Sequence, residues 1–95
     1  MRIEFHPQAK DELEHSADWY AERSASAARD FLVAVDLALA SIADNPVRFP
    51  RVDDRHRTCG VMKFPYQVVY RHDAERVVIV AVAHAKRRPG FWQDR

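Results

Sequence analysis

Val77-Val78-Ile79-Val80-Ala81-Val82-Ala83-His84 runs straight into Ala85-Lys86-Arg87-Arg88-Pro89-Gly90-Phe91-Trp92-Gln93-Asp94-Arg95. The first part is β-branched and too uniformly apolar for a strand with one wet face, so it predicts a strand buried on both sides. The second part interleaves cations with aromatic residues, the composition of a surface for phosphate or an acidic partner. A buried strand that opens into a basic, aromatic tail places the functional edge of the molecule at this end of the sheet.

Upstream of that strand the hydrophobic period is two. Strands are expected around Arg57–Met62 and Tyr66–Arg71, with a loop at His72-Asp73-Ala74-Glu75 before the final strand, Arg76–Ala83. Three short, consecutive strands form an antiparallel meander most cheaply. Before residue 45 the period is helical. Ala9, Leu13, Ala17 and Tyr20 mark an amphipathic helix over residues 7–22, with Pro7 in its first turn and Asp11, Glu12 and Glu14 towards its positive end. Phe31, Val35, Leu39 and Ile42 mark a second helix over about Ala27–Ala43, for which Ser24 or Ser26 is the N-cap. The break between the helices is so short that they must form an antiparallel hairpin. Arg2-Ile3-Glu4-Phe5-His6 alternates as a short edge strand. The predicted fold is α+β in the order β-α-α-β-β-β, a helical hairpin packed on a small antiparallel sheet, as one domain over residues 1–95.

Composition excludes several classes of function. With 95 residues, 47% hydrophobic and 31% charged, the chain has the makeup of a small globular domain that cannot spare many apolar residues from its core. One cysteine, Cys59, permits no intrachain disulfide and no thiolate metal cluster. The N-terminus lacks a signal peptide's apolar stretch, and the longest apolar run is too short to span a bilayer, so the expected compartment is the cytoplasm, with no membrane partner. Charge is divided unevenly. Residues 1–50 carry five Lys/Arg against nine Asp/Glu, whereas residues 51–95 carry ten against five. The basic half either faces an anionic partner or attracts the acidic half of its own fold.

Few residues are candidates for chemistry. Beside Lys86, Arg87 and Arg88, His84 is held neutral and can act as a base, or it is satisfied by a backbone partner. Lys86-Arg87-Arg88 followed by Phe91 and Trp92 suits single-stranded nucleic acid or an acidic peptide. Alternatively the Pro89-Gly90 turn folds the aromatics back over the open sheet face. Tyr66, Val68 and Tyr70 share one strand face, as core tyrosines or as a catalytic phenol. Asp53-Asp54 reads as a loop turn. His6, His15, His56 and His72 are scattered over different elements, so neither a metal nor a cofactor is expected.

The order of elements, Phe64-Pro65-Tyr66-x-Val68-Val69-Tyr70-Arg71, and the ending Ala81-Val82-Ala83-His84-x-x-Arg87-Arg88-Pro89-Gly90-Phe91-Trp92 resemble the RelE/ParE superfamily of bacterial toxins. The opening Ile3-Glu4-Phe5-His6-Pro7-x-Ala9 and the Trp19-Tyr20 pair fit the same resemblance. It implies a type II toxin–antitoxin pair, in which an antitoxin wraps the toxin and the complex reaches operator DNA through the antitoxin. Some relatives cleave ribosome-bound mRNA with basic residues on the central strands; the ParE type poisons DNA gyrase and is not a nuclease. Where the ribonucleases carry an arginine after the strand tyrosine, this chain has Gln67, and Thr58 and Gly60 stand where paired lysines are expected. A neutral amide cannot supply charge to a developing phosphorane.

The expectation is therefore a ParE-like toxin, with two alternatives: a RelE-like endoribonuclease using His84 and Arg87, or a non-toxic relative that only binds its antitoxin. Target binding is assigned to Arg71, Lys86, Arg87, Arg88 and Trp92. Antitoxin binding is assigned to Leu13, Trp19, Tyr20 and Phe91, because the chain holds more apolar surface than so small a core can bury.

Overall fold

The computed structural model describes residues 1–95 as β1 (Arg2–Phe5), α1 (Pro7–Ala21), α2 (Ala25–Asp44), β2 (Arg57–Gly60), β3 (Tyr66–His72) and β4 (Arg76–His84). The predicted fold class and element order hold. The apolar run occupies the inside of a four-stranded sheet of order β1-β4-β3-β2 and is buried on both faces, as its composition requires. Val77, Ile79 and Val82 join Phe31, Val35, Ile42, Val68 and Tyr70 beneath the helices. Val80, Ala81 and Ala83 form a second cluster with Val69 on the opposite face.

Two features of the sheet depart from the simplest reading. β2, β3 and β4 form the expected antiparallel meander, but β1 pairs with β4 in parallel, Arg2 to Phe5 against Arg76 to Ile79. The sheet is therefore mixed. β4 needs a partner on each side, β3 takes one by its hairpin, and β1 is the strand left for the other. The second feature is a bulge. The β3–β4 register jumps from Val69↔Ala81 to Tyr70↔Ile79, which leaves Val80 as an extra residue. Val80 and Ala81 both face the outer cluster, and the parity of the strand reverses there. As a result Val82 and His84 point to the helix side, where strict alternation from Val77 would have sent them outwards.

Local chemistry sets the helix boundaries. His6 leaves β1 and caps α1, its Nδ1 accepting from Gln8 N–H at 3.1 Å, with Pro7 in the first turn. The carboxylates at 11, 12 and 14 lie beyond that turn. Ser24 is the N-cap of α2, which it begins two residues earlier than expected, and its hydroxyl accepts from Ala27 N–H at 3.1 Å. In the connection to β2, Asp53 accepts the N–H groups of Arg55 and His56 at 2.8 and 2.7 Å, which makes the Asp53-Asp54 pair the expected turn. The Tyr70 hydroxyl, at the buried end of β3, donates to Pro46 O at 2.6 Å and anchors this connection to the sheet. Tyr70 is thus a core tyrosine, and burial raises its pKa above the ordinary value.

Candidate functional site

Beyond β4 the tail turns at Gly90, whose φ of +82° suits glycine, and lays Phe91 and Trp92 against the outer cluster. The fold-back reading of the tail is the one the structure adopts. Arg87 stacks on Phe91, its guanidinium carbon 3.9 Å from the ring centroid, and stands 3.9 Å from Glu12. Trp92 buries its indole Nε1 without an acceptor, so apolar packing rather than hydrogen bonding seats the ring. Lys86 and Arg88 remain exposed. Arg71, near the far end of β3, donates to the main-chain oxygen of Arg95 at 3.1 Å.

Glu12 fastens this assembly. β1 ends at Phe5 opposite Ile79, so the next stretch of the β4 edge has no strand beside it. Glu12 Oε1 accepts from Val82 N–H at 3.0 Å, and Arg95 donates to Val80 O at 2.9 Å. The two side chains close a two-pronged ion pair at 3.0 and 2.9 Å, both largely buried. A strand edge that would otherwise stay open is capped by one carboxylate and one guanidinium.

Because of the bulge, His84 reaches the groove between α1 and the end of the sheet. There it meets Tyr66 edge to face at 5.1 Å, together with His15, Ser16 and Arg87. Two histidines far apart in the sequence, His15 and His84, thus line one groove. The hydrogen bonding fixes their roles. Lys86 N–H donates to His84 Nδ1 at 3.0 Å, so the neutral ring carries its proton on Nε2 and has no free lone pair to act as a base. His15 Nδ1 bonds Asp11 O at 2.9 Å. Asp11 and Glu12 line the same groove, where Glu12 is paired with Arg95 and lies 3.9 Å from Arg87. On the outer face Thr58 Oγ1 donates to Gln67 Oε1 at 2.8 Å across the β2–β3 pair. The positions where ribonuclease relatives are expected to carry cations hold a neutral, mutually satisfied pair.

Of the residues assigned to an antitoxin, Leu13 and Tyr20 are half-buried against the main core and Phe91 covers the outer cluster. Trp19 is 49% exposed, with the Arg23 guanidinium carbon 3.3 Å from its ring centroid. Sequence reasoning missed a wider apolar surface. Val33, Leu37 and Met62 are 53%, 60% and 72% exposed and line one groove of about 410 Å³ between α2 and the β2–β3 turn. The spacing of Val33 and Leu37 was a usable signal, because α2 is apolar on a second side besides its core stripe. A cleft rich in arginine at the opposite end of the sheet from His84 was also missed as a unit: of its members only Arg71 was assigned to target binding, and the structure sets it apart from Lys86, Arg87, Arg88 and Trp92. Its members come from the loop before β2 and from three strands, and no local motif joins them.

No helix is long and apolar enough to cross a membrane, and no three His, Cys, Asp or Glu side chains converge as metal ligands. Among solved structures the chain is similar to one from the chromosomal ParDE TA system from P. aeruginosa, with a TM-score of 0.67. That match has 19% sequence identity and covers 88% of this chain and 95% of the other, a likeness of fold. No curated protein matches the sequence. The family model described as the ParE toxin of type II toxin-antitoxin system, parDE, matches residues 3–89. With that match over nearly its whole length, and with the helical hairpin and mixed sheet in place, the chain belongs to the ParE toxin family.

Proposed function

We propose that this ParE-type toxin arrests growth by acting on DNA gyrase rather than by cutting mRNA, and that its antitoxin neutralises it from the exposed side of α2. The observation that carries the choice of mechanism is the pairing of Thr58 with Gln67. A nuclease needs cations there to stabilise a phosphorane, and the two neutral side chains satisfy each other instead. The bond from Lys86 N–H to His84 Nδ1 supports the same reading, because it occupies the lone pair a general base requires. Membership of a two-component family implies an antitoxin partner. The apolar residues left uncovered on α2, with Trp19 on α1, supply a surface for an amphipathic segment.

The test is to measure gyrase-dependent DNA breaks and codon-positioned mRNA cuts in the same induced cells. Growth arrest is expected with gyrase-linked breaks and without mRNA cuts, and Gln67→Arg is expected to add no toxicity. A ribonuclease crippled only by its missing arginine would instead gain roughly two to three orders of magnitude in rate from that substitution. Codon-positioned cuts abolished by His84→Ala or Arg87→Ala would establish the endoribonuclease reading in place of this one.

A further inference from the structure

Five arginines converge on a cleft of about 450 Å³ where β3 ends and β4 begins: Arg51, Arg55, Arg57, Arg71 and Arg76. Two carboxylates, Asp54 and Asp73, share the lining, and Val78 is its one apolar member. Not all five cations are free. Arg57 donates to Phe49 O at 2.7 Å, Arg71 to the main-chain oxygen of Arg95, and Arg76 to Glu4 at 3.0 Å, with Asp73 at 3.7 Å. Arg51 and Arg55 make no side-chain hydrogen bond or ion pair and are exposed. Burial chiefly, and the nearby Arg55 and Arg76 in addition, lower the Arg71 pKa from its ordinary value. His56 lines the same cleft. Its Nδ1 faces the Asp53 carboxylate at 2.9 Å, and its buried Nε2 has no partner.

We propose that this cleft is a phosphate-binding site through which the toxin itself holds the backbone of duplex DNA, without reading sequence. Guanidinium forks match phosphate oxygens in pairs, and two of them stand unengaged here. A docking site for a protein segment needs an apolar centre, and this lining has a single valine, so an acidic peptide fits it poorly. The lining offers no Phe, Tyr or Trp on which unpaired bases could stack, which favours a duplex backbone over a single strand. The site is separate from the free cations of the tail, although the last residue, Arg95, reaches Arg71 at its margin. From Arg76 to His84 the strand spans roughly 26 Å, so Lys86 and Arg88 lie at the other end of the sheet. The proposal stands on this cleft alone and does not depend on gyrase being the target.

Fluorescence anisotropy with a labelled duplex of about 20 base pairs, titrated with the isolated toxin between about 50 and 200 mM salt, tests it. Two charge-reversal pairs are compared, Arg51→Glu/Arg55→Glu in the cleft and Lys86→Glu/Arg88→Glu in the tail. All four side chains are exposed, and both pairs change the net charge equally, so any difference between them reports position. The natural chain is expected to bind two unrelated duplexes alike, with a dissociation constant of roughly 1–100 µM near physiological salt. The cleft pair should weaken binding about tenfold or more and lower the salt slope by about two, while the tail pair retains most of the affinity. Absence of binding at about 50 mM salt, or equal loss in both pairs, would overturn the proposal. So would loss confined to the tail pair, or polyglutamate competing as well as DNA at equal charge, which would mark an acidic protein as the occupant.

Discussion

Asp53 does more for the loop before β2 than its exposed neighbour Asp54. Burial alone would raise its pKa, but the N–H groups of Arg55 and His56 and the His56 ring outweigh burial and hold it below its ordinary 3.8. The unfolded carboxyl takes up its proton at a higher pH than the native one. The unfolded state therefore binds more protons in the window below about 4, and stability falls as the pH drops through it. Glu4, hydrogen-bonded chiefly by Arg76, and Asp73, bonded by the N–H groups of Glu75 and Arg76, are lowered too and titrate in the same window. The difference between the natural chain and Asp53→Asn isolates the loop. That variant should lose about 1 kcal/mol at neutral pH, and the gap in urea midpoint should close as the pH falls towards 2.5. A gap constant from pH 6 to 2.5 would show that the charge on Asp53 is not what holds the loop.

The elements differ in how far they could be read in advance. β4 was legible because seven apolar residues in succession admit only a doubly buried strand, and both clusters that use it are present. The helical hairpin was legible from the spacing of Leu13 and Tyr20 in one helix and of Phe31 and Ile42 in the next. The direction of β1 was not, because four residues carry no mark of whether their partner runs with or against them. The bulge was hidden for a related reason: Val80 and Ala81 suit either face equally, so the parity change that turns His84 towards α1 leaves no trace in the pattern. The arginine cleft was illegible because its residues meet only after the loop and strands assemble. The Glu12–Arg95 cap, whose partners lie at opposite ends of the chain, is a further case. Removing Glu12 strands both the Val82 N–H and a largely buried guanidinium, so Glu12→Ala should cost about 2–3 kcal/mol. With Arg95→Ala added, the total should fall short of the sum of the singles by about 1–2 kcal/mol in urea denaturation. Strict additivity would mean that the two side chains cap the β4 edge independently.

At the scale of the whole molecule the apolar groove on α2 and the arginine cleft share no residue. The most exposed apolar side chains of the helical layer and the β2–β3 turn share one groove, while two unengaged arginines lie at one end of the sheet and a basic tail at the other. Val47 and Val52, in the loop before β2, are exposed apolar residues outside that groove. A monomer gains nothing by leaving Leu37 and Met62 more than half exposed, since water contact at such side chains forgoes roughly 25 cal/mol for each Å² that could be buried. An amphipathic antitoxin segment, seated along α2 as proposed, would remove that exposure without touching the arginine cleft. Binding and toxicity should then be separable by mutation. Leu37→Glu combined with Met62→Glu replaces two exposed side chains and should shift folding stability by no more than about 0.5 kcal/mol for each. Charges at the centre of an apolar interface are costly, and the pair should weaken antitoxin binding by about 2 kcal/mol or more, roughly thirtyfold. The expected outcome is a toxin that arrests growth as the natural chain does but is no longer rescued when the antitoxin is co-expressed. Calorimetry of the purified pair would show the lost affinity directly. Full rescue of the double variant, or rescue lost instead by Trp19→Ala alone, would move the antitoxin off α2 and onto the α1 side of the hairpin.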